Sequence, residues 1–367
     1  MLRWRELVLQ ALVLGLVAWG LLFLVGTAKV RMAAQGIPFS YTFLTQEAGF
    51  SLSEGVTWAP GEGLRPYLPS DTYWQALLAG FFNTVKVALV GLVVASLLGL
   101  LVAVGRLSAN PLARGLAFAY VELIRNTPLL LQLFVWYFAV FLKLPPWENA
   151  VTWGGMHLSQ RGLLLPEPVL TPTALAAALG LVLAYRLRAR ATLAGLALLV
   201  PTLASWLVWG PPLRVSPVVV GPFGARGGLA LSPEFAALAL GVTVYTSAFI
   251  AEVVRGALQA VPKGQREAAL ALGLSGWDAF RLVILPQAVR IAVPPLANQY
   301  LNLAKNTSLG VAVGYPDLFS VYSTVANQSG RSLEAILLVM AVYLSFSLSI
   351  SGLVNAYNRR VALRWKL

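Results

Sequence analysis

The sequence predicts an all-α polytopic membrane protein, and three observations carry that prediction. Hydrophobic residues make up 58% of the 367 positions and charged residues only 11%, with mean hydropathy +0.74. About eight apolar runs recur along the chain, most near the ~20 residues that cross a ~30 Å hydrocarbon core. The Lys and Arg residues fall mainly in alternate loops, as the positive-inside rule requires. A net charge of +13 would suggest nucleic acid in a soluble protein. Here it reads as basic loops facing anionic lipid and the cytoplasm, with no nucleic-acid partner.

Taken in order, Met1 to Glu6 is short and basic. Leu7 to Val25 is then a continuous apolar run. A cleaved signal peptide is the rival reading, but its apolar core would be shorter and no small-x-small cleavage site follows. The run reads as a retained helix. Residues 31 to 72 are polar and rich in Gly, Pro and Ser, and are expected outside. Tyr73 to Val104 holds the second span and Leu116 to Phe141 the third. Residues 142 to 171 read as loop, followed by Thr173 to Tyr185 and Ala191 to Trp209 as a helical hairpin around Arg186, Arg188 and Arg190. Pro233 to Arg255 is the sixth span, Ile291 to Val313 the seventh, and Leu333 to Tyr357 the eighth, before a basic tail at 358–367.

With both termini inside, about eighteen of the Lys and Arg residues fall on the cytoplasmic side and roughly eight outside. An inverted topology fails that test. It is this orientation that places the segment from Val261 to Ala288 in the cytoplasm. Lys263, Arg266, Glu267, Asp278 and Arg281 keep it out of the bilayer. Glu267 to Leu274 is built of good helix formers, and Gly273 and Gly276 break it. Trp277 to Leu285 is a second short helix that Pro286 is expected to stop. Two short helices with a glycine bend make a rigid knob, a shape suited to being gripped.

Glu267-Ala268-Ala269, three residues, Gly273, nine residues, Val283, one more and Leu285-Pro286 resembles the cytoplasmic loop signature of permease subunits of binding-protein-dependent ABC importers. Val283 replaces the usual Ile. The resemblance implies that the loop, within residues 259–290, is a coupling helix docking into a groove of a separate ATPase subunit. It also implies a five-helix core, made here by the second, third, sixth, seventh and eighth spans. The first span is then an added anchor, and the fourth and fifth an inserted hairpin that leaves later orientations unchanged. The implied divisions are 1–70 (amino-terminal helix and outer segment), 71–141 (first part of the core), 142–232 (insertion) and 233–357 (second part of the core). This layout looks like the larger permease of general L-amino acid importers. Its expected partners are an ATPase that binds ATP and Mg, a second, shorter homologous permease, and an extracytoplasmic amino-acid-binding protein, all at a bacterial inner membrane.

Three polar clusters lie in or beside the spans. Glu122 and Arg125 stand three apart on one helix face and are expected to pair, with Pro128 kinking the helix beyond them. Glu252 and Arg255 near the cytoplasmic end of the sixth span suit the stem of the knob, while Thr246 lies nearer mid-membrane and is a candidate residue of the translocation pathway. Asn298, Asn302, Lys305 and Asn306 share one face of the seventh span, with Asn302 to Asn306 roughly 17–23 Å along its axis. A charge at that depth requires water or a partner, so this face is the candidate translocation pathway; inter-helix hydrogen bonding is the structural alternative. Lys86, alone in the second span, suits snorkelling or an acid partner.

With no cysteine and a single histidine, His157, the chain offers no metal site, no cofactor site and no catalytic residues. Neither Lys263 nor Lys305 follows the glycine-rich run of a phosphate-binding loop, so any ATP-driven step is borrowed from a partner. The rival function is a secondary transporter or channel. That reading needs paired intramembrane carboxylates and leaves the loop signature without a use.

Overall fold

The computed structural model describes residues 4–34, 36, 39–186, 191–211, 213–216, 218–221, 224–226 and 228–363. Arg3, Arg188, Arg190, Arg364 and Lys366, which the sequence places in basic flanks and turns, lie outside the described residues.

The chain opens with α1 (Trp4–Ala34), the hairpin β1 (Val56–Ala59) and β2 (Gly63–Pro66), then α2 (Tyr73–Leu107), α3 (Pro111–Arg125) and α4 (Leu129–Phe134). Strands β3 (Val151–Trp153), β4 (Met156–Ser159), β5 (Gly162–Leu165) and β6 (Glu167–Leu170) precede the hairpin of α5 (Pro172–Arg186) and α6 (Ala191–Trp209). Strands β7 (Leu213–Ser216), β8 (Val219–Gly221), β9 (Gly224–Arg226) and β10 (Leu229–Leu231) lead into α7 (Pro233–Gln259). Next come α8 (Lys263–Ala271), α9 (Gly276–Asp278), α10 (Leu285–Asn306), α11 (Leu318–Ser329) and α12 (Ser332–Leu363). Among the described residues, five helical stretches are long and apolar enough to cross a membrane, six if the bent pair α3 and α4 is one span. The shorter apolar α5 and α6 bring the set to the eight expected.

Four local expectations change. The segments expected as loops at 31–72 and 142–171, and that before α7, carry small antiparallel sheets, ordered β10-β5-β4-β3, with separate pairs β1-β2, β6-β7 and β8-β9. Gly154 and Gly155, with φ of 57° and 81°, form the two-residue turn between Trp153 and Met156, a conformation that closes hairpins and that side chains resist. The short outer loop before the last span contains α11. The kink expected at Pro128 is present but is a sharp elbow, with α3 and α4 meeting at 103°. Finally, Pro286 stops nothing: a π-turn over Ala279–Ile284 runs directly into α10, with Pro286 in its first turn. A proline is tolerated there because the π-turn before it shifts the hydrogen-bond register where its N–H is missing.

The contacts divide into two compact units, residues 1–82 with 318–348, and residues 83–317 with 349–367. In the first, Phe43, Tyr67, Tyr73 and Leu77 form one apolar cluster with Leu318, Val321, Val325 and Val339. Arg65 donates to Asp71 at 2.9 Å, and the Leu68 N–H donates to the same carboxylate at 2.8 Å. The Arg65 hydrogen bond holds the Asp71 carboxyl below the ordinary range, while burial pushes the Tyr67 hydroxyl up to about 12.

In the second unit, α7 is the hub. A Cβ on Gly99 of α2 would lie 2.6 Å from Ile250 Cγ2 and 2.9 Å from the Ser247 carbonyl oxygen. Leu133 of α4 sits over Gly241, and Leu238 over Gly310. Small residues bring these helices close because lipid supplies no hydrophobic drive between them, leaving packing to hold them. The inserted α5–α6 hairpin is tied at its base, where Thr173 Oγ1 donates to the Gly210 carbonyl at 2.9 Å and Thr171 Oγ1 to Pro211 at 2.8 Å.

Candidate functional site

The knob is built by two helix-end devices placed back to back. Helix α8 ends at Leu272, and Gly273 follows with φ +84°. The Leu274 N–H reaches the Ala269 carbonyl at 3.2 Å and the Gly273 N–H reaches Leu270 at 3.0 Å. This is a Schellman closure, whose left-handed residue favours glycine for want of a Cβ. Ser275 then caps the following helix: its Oγ accepts from the Asp278 N–H at 3.1 Å and donates to Asp278 Oδ2 at 2.6 Å. Ala269 is buried, which lets α8 lie against the π-turn, and Gln287 Nε2 donates to Gln265 Oε1 at 3.3 Å across that contact. Glu267, Ala268 and Leu285 are exposed and Pro286 is half-buried. Of the signature residues, then, Ala269 and Gly273 set shape while Glu267 faces outward.

The stem is charged. Glu252 takes the Arg255 guanidinium in a two-pronged ion pair, with Arg255 Nε at 3.0 Å from Oε2, and Arg106 of α2 approaches the same oxygen at 3.5 Å. Arg106 also lies 4.8 Å from the Phe118 ring centroid. Ends of α2, α3 and α7 are thereby held beneath the knob. Glu122 and Arg125 do not pair: Glu122 takes the Asn126 side-chain amide at 3.3 Å, and Arg125 lies 5.3 Å from the Phe249 ring. The helix ends at Arg125, so its side chain is drawn to the α7 surface instead of back along α3.

On α10, Asn298, Asn302 and Lys305 are exposed and Asn306 is half-buried, while Ala288, Ala292 and Leu303 on other faces are buried. The four residues form one stripe at helical spacing. Thr246 does not join it, because that residue is 3% exposed inside the packing of α7. Lys86 lies 4.2 Å from the Phe235 ring centroid.

Two features escape sequence reasoning. The first is Gln132, whose Nε2 donates at 3.0 Å to the carbonyls of Ile124 and Thr127. In an unbroken helix Ile124 would take the N–H of residue 128, which Pro128 lacks, so the side chain replaces a backbone donor and fixes the elbow. The concavity beside it, about 660 Å³, is lined by Leu123, Leu131, Phe134, Trp136 and other apolar side chains. It suits no zwitterion. The second is a buried polar group at Asn83, whose Nδ2 donates to the Pro316 carbonyl at 2.9 Å and whose carbonyl accepts from Tyr315 Oη at 3.3 Å. The Gly-Tyr-Pro-Asp run at 314–317 was its available signal. Among the described residues, no group of three or more His, Asp or Glu could hold a metal ion.

Residues 95–363 match the family described as the binding-protein-dependent transport system inner membrane component. The protein YhdX of Escherichia coli (strain K12) is 41% identical, covering 96% of this chain and 91% of its own length. The general L-amino acid transport system permease protein AapQ of Rhizobium johnstonii (strain DSM 114642 / LMG 32736 / 3841) is 37% identical over 98% of this chain and 93% of its own. The fold is shared with the crystal structure of an amino acid ABC transporter with histidines, at TM-score 0.50 and 22% identity, over 78% of this chain and 95% of that one.

Proposed function

The chain belongs to the family of binding-protein-dependent transport system inner membrane components, and from that premise we propose that it is the translocation subunit of an ATP-driven amino acid importer. The single observation that carries the coupling part of this reading is the knob. An exposed pair of helix ends, locked by Gly273 and Ser275 and braced on a charged stem, is a rigid lever for a second protein. In this reading a separate ATPase subunit grips residues 263–278, binds ATP and Mg, and drives alternating access. This chain binds no cofactor and catalyses no reaction. A shorter homologous permease completes the pathway, and an extracytoplasmic binding protein delivers the amino acid.

The polar stripe of α10 is the pathway wall. Asn298, Asn302 and Asn306 offer donors and acceptors to both ends of a zwitterion, and Lys305 offers a cation to the carboxylate common to every amino acid. Thr246 acts behind that wall, since its burial leaves it no access to solute in this conformation.

Reconstitution with the partner subunits tests the coupling. Gly273→Val, forced into a left-handed backbone, should keep the membrane fold but separate ATP hydrolysis from uptake. Wild-type uptake by that variant refutes the reading. Orientation is tested separately in this cysteine-free chain. An impermeant thiol reagent should label Ser53→Cys and not Ser275→Cys in cells opened only at the outer membrane; the reverse pattern rejects a cytoplasmic knob.

A further inference from the structure

We propose that Leu272 and Trp277, neither part of the loop signature, are the anchors that hold the ATPase subunit; this rests on the reading of the loop as its docking site. Three of the signature residues are poorly placed to supply binding energy, while Glu267 and Leu285 are exposed, Leu285 at only 38%. Ala269 is buried within the knob, Gly273 has no side chain, and Ala268 offers one methyl group. The two residues flanking the glycine turn are the opposite case: Leu272 is 84% exposed and Trp277 66%. Helix geometry causes this exposure. Leu272 is the last residue before the left-handed turn, which brings Leu274 back towards α8 and leaves Leu272 facing out. Trp277 follows the Ser275 cap by two positions and is stiffened by stacking on Phe280, with ring centroids 5.8 Å apart at 29°. A rigid aromatic beside an aliphatic side chain is the composition of an interface centre.

Depth and charge identify the occupant. The Arg106–Glu252–Arg255 group lies near the end of α7, which continues seven residues beyond Glu252 to Gln259 before the charged run at 263–281. Charges so closely spaced stay out of a hydrocarbon core. Leu272 and Trp277 lie within that charged run, so they face water or protein and not the acyl chains. On the same knob Lys263, Arg266 and Arg281 are exposed, against exposed Glu267 and half-buried Asp278, which Ser275 engages, a net excess of one cation. The excess of cations disfavours a second copy of the same knob and fits a groove with an apolar floor and an acidic rim.

The test uses the full complex, co-expressed with its ATPase and partner permease, extracted from membranes and washed. Leu272→Asp with Trp277→Asp should lower ATPase retention by roughly thirtyfold, the measure of a lost interface anchor, with uptake falling in parallel. The uncharged pair Leu272→Ser with Trp277→Ser should release the ATPase in the same sense, and the unchanged thermal midpoint of the chain should exclude misfolding. Wild-type retention by both pairs overturns the inference. If Gly273→Val strips the ATPase while the double variants keep it, the docking reading stands and only the two anchors fall. If no variant affects retention, the docking reading falls as well. Full retention with weakened binding to anionic vesicles assigns both side chains to lipid, and also overturns the proposal.

Discussion

Helices α7 and α10 flank the same knob, yet one is spent on packing and the other keeps a face open. In α7, 61% of the apolar window is buried, against 17% in the helical run Gly276–Val313 that contains α10. Neighbours reach α7 through glycines and hydroxyls: Gly99 against Ile250, Leu133 over Gly241, and Tyr120 Oη at 2.6 Å from Ser247 Oγ. Thr243, Thr246 and Ser247 of α7 are covered inside the chain. Helix α10 packs against α7 through small residues and turns Asn298, Asn302 and Lys305 away. The difference teaches that polarity within a span does not by itself mark a pathway. What separates Thr246 from Asn302 is whether tertiary contacts have already taken the group.

The sharpest way to break this comparison is to exchange the kinds of damage. Asn302→Leu and Lys305→Met should reduce uptake by about tenfold or more, the scale of a lost hydrogen bond to a charged solute. Their thermal midpoints should stay near wild type, since exposed sites rarely move stability beyond about 0.5 kcal/mol. Proteoliposome uptake and detergent-phase unfolding read the two sides. Equal uptake at an unchanged substrate range makes the stripe a subunit contact.

Gly99→Ala should do the reverse. The added methyl meets Ile250 and the backbone oxygen of Ser247, so the helices must part at about 1–3 kcal/mol. The expected result is a lowered unfolding temperature in the purified chain, with transport by the surviving folded fraction nearly normal per molecule. An unshifted temperature would mean that α7 is not the tight hub described.

The smallest effect concerns a charge fully engaged by the protein, in contrast to Lys305. Asp71 has its carboxyl held below the ordinary value by Arg65. A depressed folded value gives stability that is present above the unfolded carboxylate value of about 3.9 and is lost as pH falls through the lower folded value. Protease protection of residues 39–72 should therefore hold through neutral pH and weaken only below about pH 4. Asp71→Asn should remove that acid step and loosen the segment at neutral pH. A step that persists in this variant assigns it to another carboxylate.

Much was legible without coordinates, because hydropathy and chain direction are local properties. The apolar runs locate the helices, although α1 continues nine residues past Val25 and α10 starts six before Ile291, and Glu267 to Pro286 displays the knob in its pattern of helix formers and glycines. Gly273 was readable as a bend because a left-handed backbone has one preferred residue. The turn of β3 and β4 was equally readable, in the Trp-Gly-Gly-Met run at 153–156, but long polar loops between spans draw attention away from short strands.

Other features were settled only by contacts distant in sequence. Pro128 announces a disturbance, but whether it is a slight kink or a 103° elbow depends on Gln132 supplying the missing donor from the far side of the break. Pro286 looks like a stop until a π-turn ahead of it shifts the hydrogen-bond register and lets the helix continue past its missing N–H. The sequence by itself determined that this chain crosses a membrane repeatedly and lifts a rigid, charged knob out of it, since transfer energies and helix-end chemistry act residue by residue. Only the tertiary structure decided which polar face stays open, because that depends on what α7 and its neighbours cover, and burial is a property of the whole packing.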